Sequence, residues 1–82
     1  MNLVELTEVL VKSLVNNEDG VSVKEFPTDD ENVILIQVLV ADEDMGRVVG
    51  KDGKVAKALR TLVQTAASLD GDKFVKIDID KF

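Results

Sequence analysis

The chain has 82 residues, ten Lys+Arg against sixteen Asp+Glu, a net charge of −6, and no His, Cys, Trp or Tyr. That length holds one small core and not two, and without cysteine a disulfide framework, a Cys-ligated zinc site and a thiol nucleophile are all excluded. Without histidine the usual general base near neutral pH and the commonest metal ligand are missing, so the sequence points away from catalysis.

In chain order, Asn2 followed three residues later by Glu5 forms a capping-box signal. Leu3, Leu6, Leu10, Val11 and Leu14 then recur at helical spacing, which predicts an amphipathic helix over 3–15. The turn residues Asn16 to Gly20 end it. Val21 to Phe26 reads as a strand closed by Pro27, and Thr28 to Asn32 as an acidic turn. Val33 to Val40 is β-branched and nearly continuous, the pattern of a central strand. Its set Ile34, Ile36, Val38 and Val40 is expected to face the helices, with Gln37 the only residue that distinguishes the two sides. Asp42, Glu43 and Asp44 open a short helix that must stop at Gly50. A second helix runs from Gly53 or Lys54 to about Leu69, with Asp52 its candidate N-cap. On that helix Val55, Ala58, Leu59, Leu62, Ala66 and Leu69 read as the core stripe. Ala56, Val63 and Ala67 widen the apolar arc to about half the circumference, more than the roughly 100° of an ordinary surface helix. They are a candidate dimer seam, and packing beneath the first helix fits them equally well. Lys73 to Ile79 alternates as a half-buried strand, with Val75, Ile77 and Ile79 inward.

The order is therefore αββααβ. It predicts an α+β, two-layer domain with three helices on one face of a three-stranded mixed sheet. The longest apolar stretch, Val33 to Ala41, is far below the roughly 18 residues of a membrane span. No basic segment followed by a long apolar run marks a secretory signal. The expectation is a cytoplasmic chain with no membrane partner.

The net charge argues against nucleic acid, because phosphate binding draws on Lys and Arg, but its distribution does not. Between Met45 and Leu69 stand Arg47, Lys51, Lys54, Lys57 and Arg60 against Asp52 alone, so that segment is +4 and the remainder −10. Taken as charge alone, the run also fits the solvated side of a helix. The loop Gly50-Lys51-Asp52-Gly53 adds more. A helix start after a two-glycine loop leaves N–H groups turned outward, where anions bind, and glycine lets a phosphodiester chain approach the backbone. Other motifs fail. Three residues rather than four separate Gly46 from Gly50, and Lys51 is followed by Asp, so this is no P-loop. Asp42, Asp44 and Gly46 start like a calcium loop but have glycine at its fifth position and no glutamate at its twelfth.

The run Gly46-Arg47-Val48-Val49-Gly50-Lys51-Asp52-Gly53-Lys54-Val55-Ala56-Lys57-Ala58-Leu59-Arg60 resembles the signature of a KH domain. The GxxG loop of such domains clamps the backbone of about four nucleotides of single-stranded RNA. The element order resembles the type II KH arrangement, and the whole chain is similar to the small bacterial KhpA (YlqC-like) family of stand-alone KH domains. The resemblance implies one KH domain over 1–82 with no cofactor or metal. It implies a backbone clamp of Gly50, Lys51, Asp52 and Gly53 flanked by Arg47, Lys54 and Lys57, with Val48 and Val49 as the apolar pair before the loop. It also implies single-stranded RNA as partner, a role as RNA chaperone or post-transcriptional regulator, and pairing as a homodimer or with a Jag-like KH protein (KhpB). Two positions depart from the pattern: Ala56 is smaller than the usual apolar residue, and Asp52 puts a negative charge in the loop. Phe26, Phe74 and Phe82 are the sole aromatics, none placed by the motif for base stacking.

Overall fold

A computed structural model describes residues 2–82; Met1, the first residue of the expected 1–82 domain, lies outside them. Helix α1 spans Leu3–Lys12 and starts as the capping signal predicts, with the Glu5 amide donating to Asn2 Oδ1 at 2.8 Å. It ends three residues earlier than the apolar spacing predicts. Ser13 Oγ donates to the Val9 carbonyl and the Leu14 amide to the Val11 carbonyl, tightening the last turn so that the chain can leave.

Strands β1 (Ser22–Pro27), β2 (Val33–Val40) and β3 (Phe74–Lys81) form one sheet in that order. β1 pairs antiparallel with β2, Val23 opposite Val38, and β3 pairs parallel with β2, Ile36 opposite Ile77. Pro27 sits inside β1 rather than after it, which an edge strand tolerates because one side of its ladder is open. β3 runs on to Lys81, two residues beyond the predicted end, pairing throughout with β2.

Helices α2 (Met45–Val49) and α3 (Lys54–Gly71) complete the chain. The buried cluster joins Val11 of α1, Val48 of α2, and Leu59 and Val63 of α3 to Ile36, Val38 and Val40 of β2 and Ile77 of β3. All three helices therefore cover the same face of the mixed sheet, the face carrying Ile34, Ile36, Val38 and Val40. The architecture is the α+β, two-layer one that the element order predicts.

One expectation is overturned here. The buried face of α3 is Ala56, Leu59, Val63 and Ala67, whereas Ala58, Leu62 and Leu69 of the predicted core stripe are exposed. Ala56, Val63 and Ala67 are thus no dimer seam: they lie under α3, against the sheet. A helix apolar around half its girth fits a sheet in more than one rotation, and small residues decide which. Ala56 and Ala67 let α3 come close, and the larger Leu62 and Leu69 are left outside.

Candidate nucleic-acid interface

β2 delivers the chain through a single turn, Asp42–Asp44, into α2, which ends at Gly50 with φ 76° and ψ 175°. A Cβ at Gly50 would collide with the Val55 side chain and stand 2.9 Å from the Val55 nitrogen. Conformation and space both demand glycine there. Gly53, at φ 74° and ψ 14°, needs glycine for its conformation alone, because nothing lies within 4 Å of where its Cβ would be. One glycine closes the loop onto α3, and the other leaves open space over the start of that helix.

Asp52 lies between them, and the structure corrects its expected role. It adopts a left-handed conformation, φ 57° and ψ 25°, and the N-cap of α3 is Gly53, with no side-chain cap. Capping needs an extended backbone that aims the side chain at the amides ahead, and left-handed geometry does not provide it. Asp and Asn are the non-glycine residues that tolerate this region best, which accounts for the residue type. The Asp52 carboxylate is exposed in the loop.

Lys51, Lys54, Lys57 and Arg60 are all exposed. Among the described residues the ion pairs are Lys12–Glu8, Arg47–Asp44 and Lys81–Asp42, so these four cations are unpaired. Arg47 differs: its Nε lies 3.3 Å from Asp44 Oδ1. Asp44 is fully buried and also accepts the amides of Asn16 and Asn17, at 3.1 Å each, one on each oxygen. The Asn16 amide, then the Asn17 amide and the Arg47 guanidinium, hold its carboxyl below the ordinary value against the opposing effect of burial. Asp44 thus bolts the connection after α1 to the start of α2 and takes up Arg47's charge. The sequence pattern gives Asp44 only a place near a helix start; its partners lie 27 and 28 residues away.

Val48 is fully buried in the core and Val49 half-buried, so of the apolar pair only Val49 is within a ligand's reach. The far side of the site is set by Gln64. Its Nε2 donates to the Lys73 carbonyl at 2.9 Å and its Oε1 accepts the Val75 amide at 2.9 Å, tying one flank of α3 to the start of β3. Lys57 and Arg60 precede Gln64 by seven and four residues and share that flank. β3 has a strand on one side only, so a basic helix flank faces a free strand edge. Arg60 joins the site on this geometry, although the motif did not single it out. No group of His, Cys, Asp or Glu among the described residues is arranged to hold a metal.

The family described as "KhpA/KhpB, KH domain" matches residues 4–79. The "RNA-binding protein KhpA" of Caldanaerobacter subterraneus subsp. tengcongensis is 45% identical over 75 residues, covering 92% of this chain and 96% of that one. That of Clostridium perfringens is 42% identical over 71 residues, 87% and 92% of the two chains. Among solved structures, Era in complex with MgGDPNP and nucleotides 1506-1542 of 16S ribosomal RNA superposes with a TM-score of 0.65 at 18% identity. The match covers 96% of this chain and 29% of that one, a likeness of fold over a fraction of a longer protein. With the GxxG geometry, the element order and these relatives together, the chain belongs to the KhpA/KhpB family of KH domains.

Proposed function

We propose that this chain is a non-catalytic binder of single-stranded RNA, working as one KH unit in the cytoplasm as an RNA chaperone or post-transcriptional regulator. The observation that carries this reading is the loop Gly50–Gly53: two positive-φ glycines, open space over the second, and Lys51, Lys54, Lys57 and Arg60 exposed and unpaired beside it. Curated relatives covering most of the chain are named for RNA binding. In this reading the RNA backbone passes over Gly53, where no side chain stands in the way. Lys51 and Lys54 neutralise its phosphates, Val49 offers an apolar floor, and Lys57 and Arg60 carry the strand on toward the β3 edge. No aromatic residue lines this path, so hydrogen bonds and apolar contact replace strong stacking, which suits broad sequence tolerance. Asp52 and the −10 of the remainder keep affinity modest and confine it to one edge.

The test is a binding isotherm for a short single-stranded oligouridylate at low salt. Lys51→Asp reverses one charge at the clamp and is expected to weaken binding at least about tenfold, since each lost phosphate contact costs affinity and shallows the salt dependence. Unchanged binding would contradict the clamp assignment.

A second reading, assembly, has its own observation. Val9 and Leu62 are about half exposed, and a groove of about 210 Å³ between α1 and α3 is lined by Leu10, Leu14, Val55, Ala58, Leu59 and Leu62. Pairing with a second copy or with a Jag-like KH protein fits a chain with apolar surface left over, although not through the buried Ala56, Val63 and Ala67.

A further inference from the structure

Gln64 does more than tie α3 to β3: it fills one place on an open strand edge. The Phe74 amide donates to the Asn32 carbonyl at 2.8 Å, and the Phe82 amide to the Val40 carbonyl at 3.1 Å. Even-numbered residues of β3 therefore turn their amide and carbonyl groups toward β2, and odd-numbered residues turn theirs to the free edge. Along that edge the carbonyl of one odd-numbered residue and the amide of the next form a repeating acceptor–donor pair. Gln64 takes the first pair, the Lys73 carbonyl with the Val75 amide, at 2.9 Å each. Its Nε2 also donates to Ser68 Oγ at 3.1 Å, so three bonds hold the carboxamide in place.

At the other end of the edge the Lys81 amide donates to Asp80 Oδ1 at 2.8 Å. Between these two stops lie the Val75 carbonyl with the Ile77 amide, and the Ile77 carbonyl with the Ile79 amide. Among the described residues no hydrogen bond reaches these groups. Backbone groups left so must meet water or a ligand, and Lys57 and Arg60 lie on the α3 flank that faces them. Those two cations make a phosphodiester chain a better occupant than a peptide strand.

A carboxamide is planar, with a donor beside an acceptor, and a nucleobase edge carries the same pattern. Neighbouring pairs on a strand edge stand about 6.6 Å apart, roughly twice the 3.4 Å rise of stacked bases, so an unstacked single strand matches them. We propose that Gln64 determines how much RNA the site holds: its carboxamide occupies the place on the β3 edge where one further base would dock. The inference rests on the RNA reading above and adds an end to the RNA path, set by a side chain outside the GxxG run.

The experiment measures the affinity of the full chain for oligouridylates of three to seven nucleotides at low salt. The unmodified protein is expected to gain affinity up to about four nucleotides, and at most about twofold with the fifth. Gln64→Ala opens the next pair, and its gain from the fourth to the fifth nucleotide is expected to reach about fivefold, one bidentate base contact. Because Gln64→Ala also loosens α3 from β3, a second measurement uses the unmodified protein. In its NMR spectrum hexauridylate should shift the amides of Ile77 and Ile79 and leave that of Val75 in place. A Val75 amide that moves as far as that of Ile77 overturns the inference. So does a length dependence unchanged in Gln64→Ala while Lys51→Asp weakens binding at every length, a result that leaves the RNA reading standing. A protein that binds none of the lengths overturns the RNA reading and this inference with it. Gln64→Ala that gains mass in sedimentation, with its length dependence unchanged, makes the residue a guard of the edge against a second strand and overturns the proposal.

Discussion

Helix α3 begins and ends beside an aspartate in the left-handed conformation: Asp52 at φ 57° before its start and Asp72 at φ 55° at its C-cap, each next to a glycine. The backbone chemistry of the two ends is nearly the same and their electrostatic character is opposite. At the first end the helix offers its positive dipole pole, and Lys51, Lys54 and Lys57 surround it. At the second it offers its negative pole, in the run Asp70-Gly71-Asp72. Left-handed Gly-Asp geometry therefore does not set the polarity of a helix end. Chain direction and the sign of neighbouring charges do, and a net charge of −6 hides the contrast.

Breaking the first end has the largest expected effect. Gly50→Val adds left-handed strain and a collision with Val55 and is expected to cost about 3 kcal/mol or more in denaturant unfolding. Gly53→Ala meets no atom and is expected to cost only about 1–2 kcal/mol of strain while weakening RNA binding, because its Cβ enters the path of the backbone. That split separates a closing glycine from a contacting one. Next in size, Lys51→Gln and Lys54→Gln are each expected to lower the slope of log affinity against log salt by about 0.7, the single-strand value per phosphate contact. Arg47→Gln should lower it less, because Asp44 already balances that charge.

Asp44 sharpens the contrast between a buried acid and an exposed one. Its carboxyl titrates below the ordinary 3.8, so it stabilises the fold above that pH, and the contribution is lost as pH falls through its lowered value. Acid unfolding followed by circular dichroism should show a less stable Asp44→Asn at neutral pH, the gap to the unmodified protein closing at low pH. The smallest effect belongs to Asp52. Asp52→Asn keeps the left-handed preference and removes a charge beside the phosphates, so RNA binding should tighten by about half a kcal/mol, roughly twofold. The matching Asp72→Asn should leave it unchanged.

Much of this was legible in the sequence wherever a signal is local. The Asn2 cap, the strand alternation of Val33–Val40 and the halt of α2 at Gly50 each depend on residues within one turn or one pleat. What was not legible depends on distant partners or on near-degenerate choices. The carboxylate of Asp44 finds its amides far along the chain. The rotation of α3, which buries Ala56, Val63 and Ala67 and exposes Leu62 and Leu69, follows from how closely a helix can approach the sheet. Asp52 failed as a cap because its φ, set by the loop, matters more than its residue type. Arg60 entered the site only once Gln64 tied its flank to β3.

The central claim is that RNA is gripped at the first end of α3. The most direct measurement is a titration of isotope-labelled protein with short single-stranded oligouridylate, followed amide by amide by NMR. The largest shifts are expected at Val49 to Lys54 and at Lys57 and Arg60, with Asp70 to Asp72 unmoved. Shifts centred on the second end of the helix, or spread over the sheet with the loop silent, would contradict it.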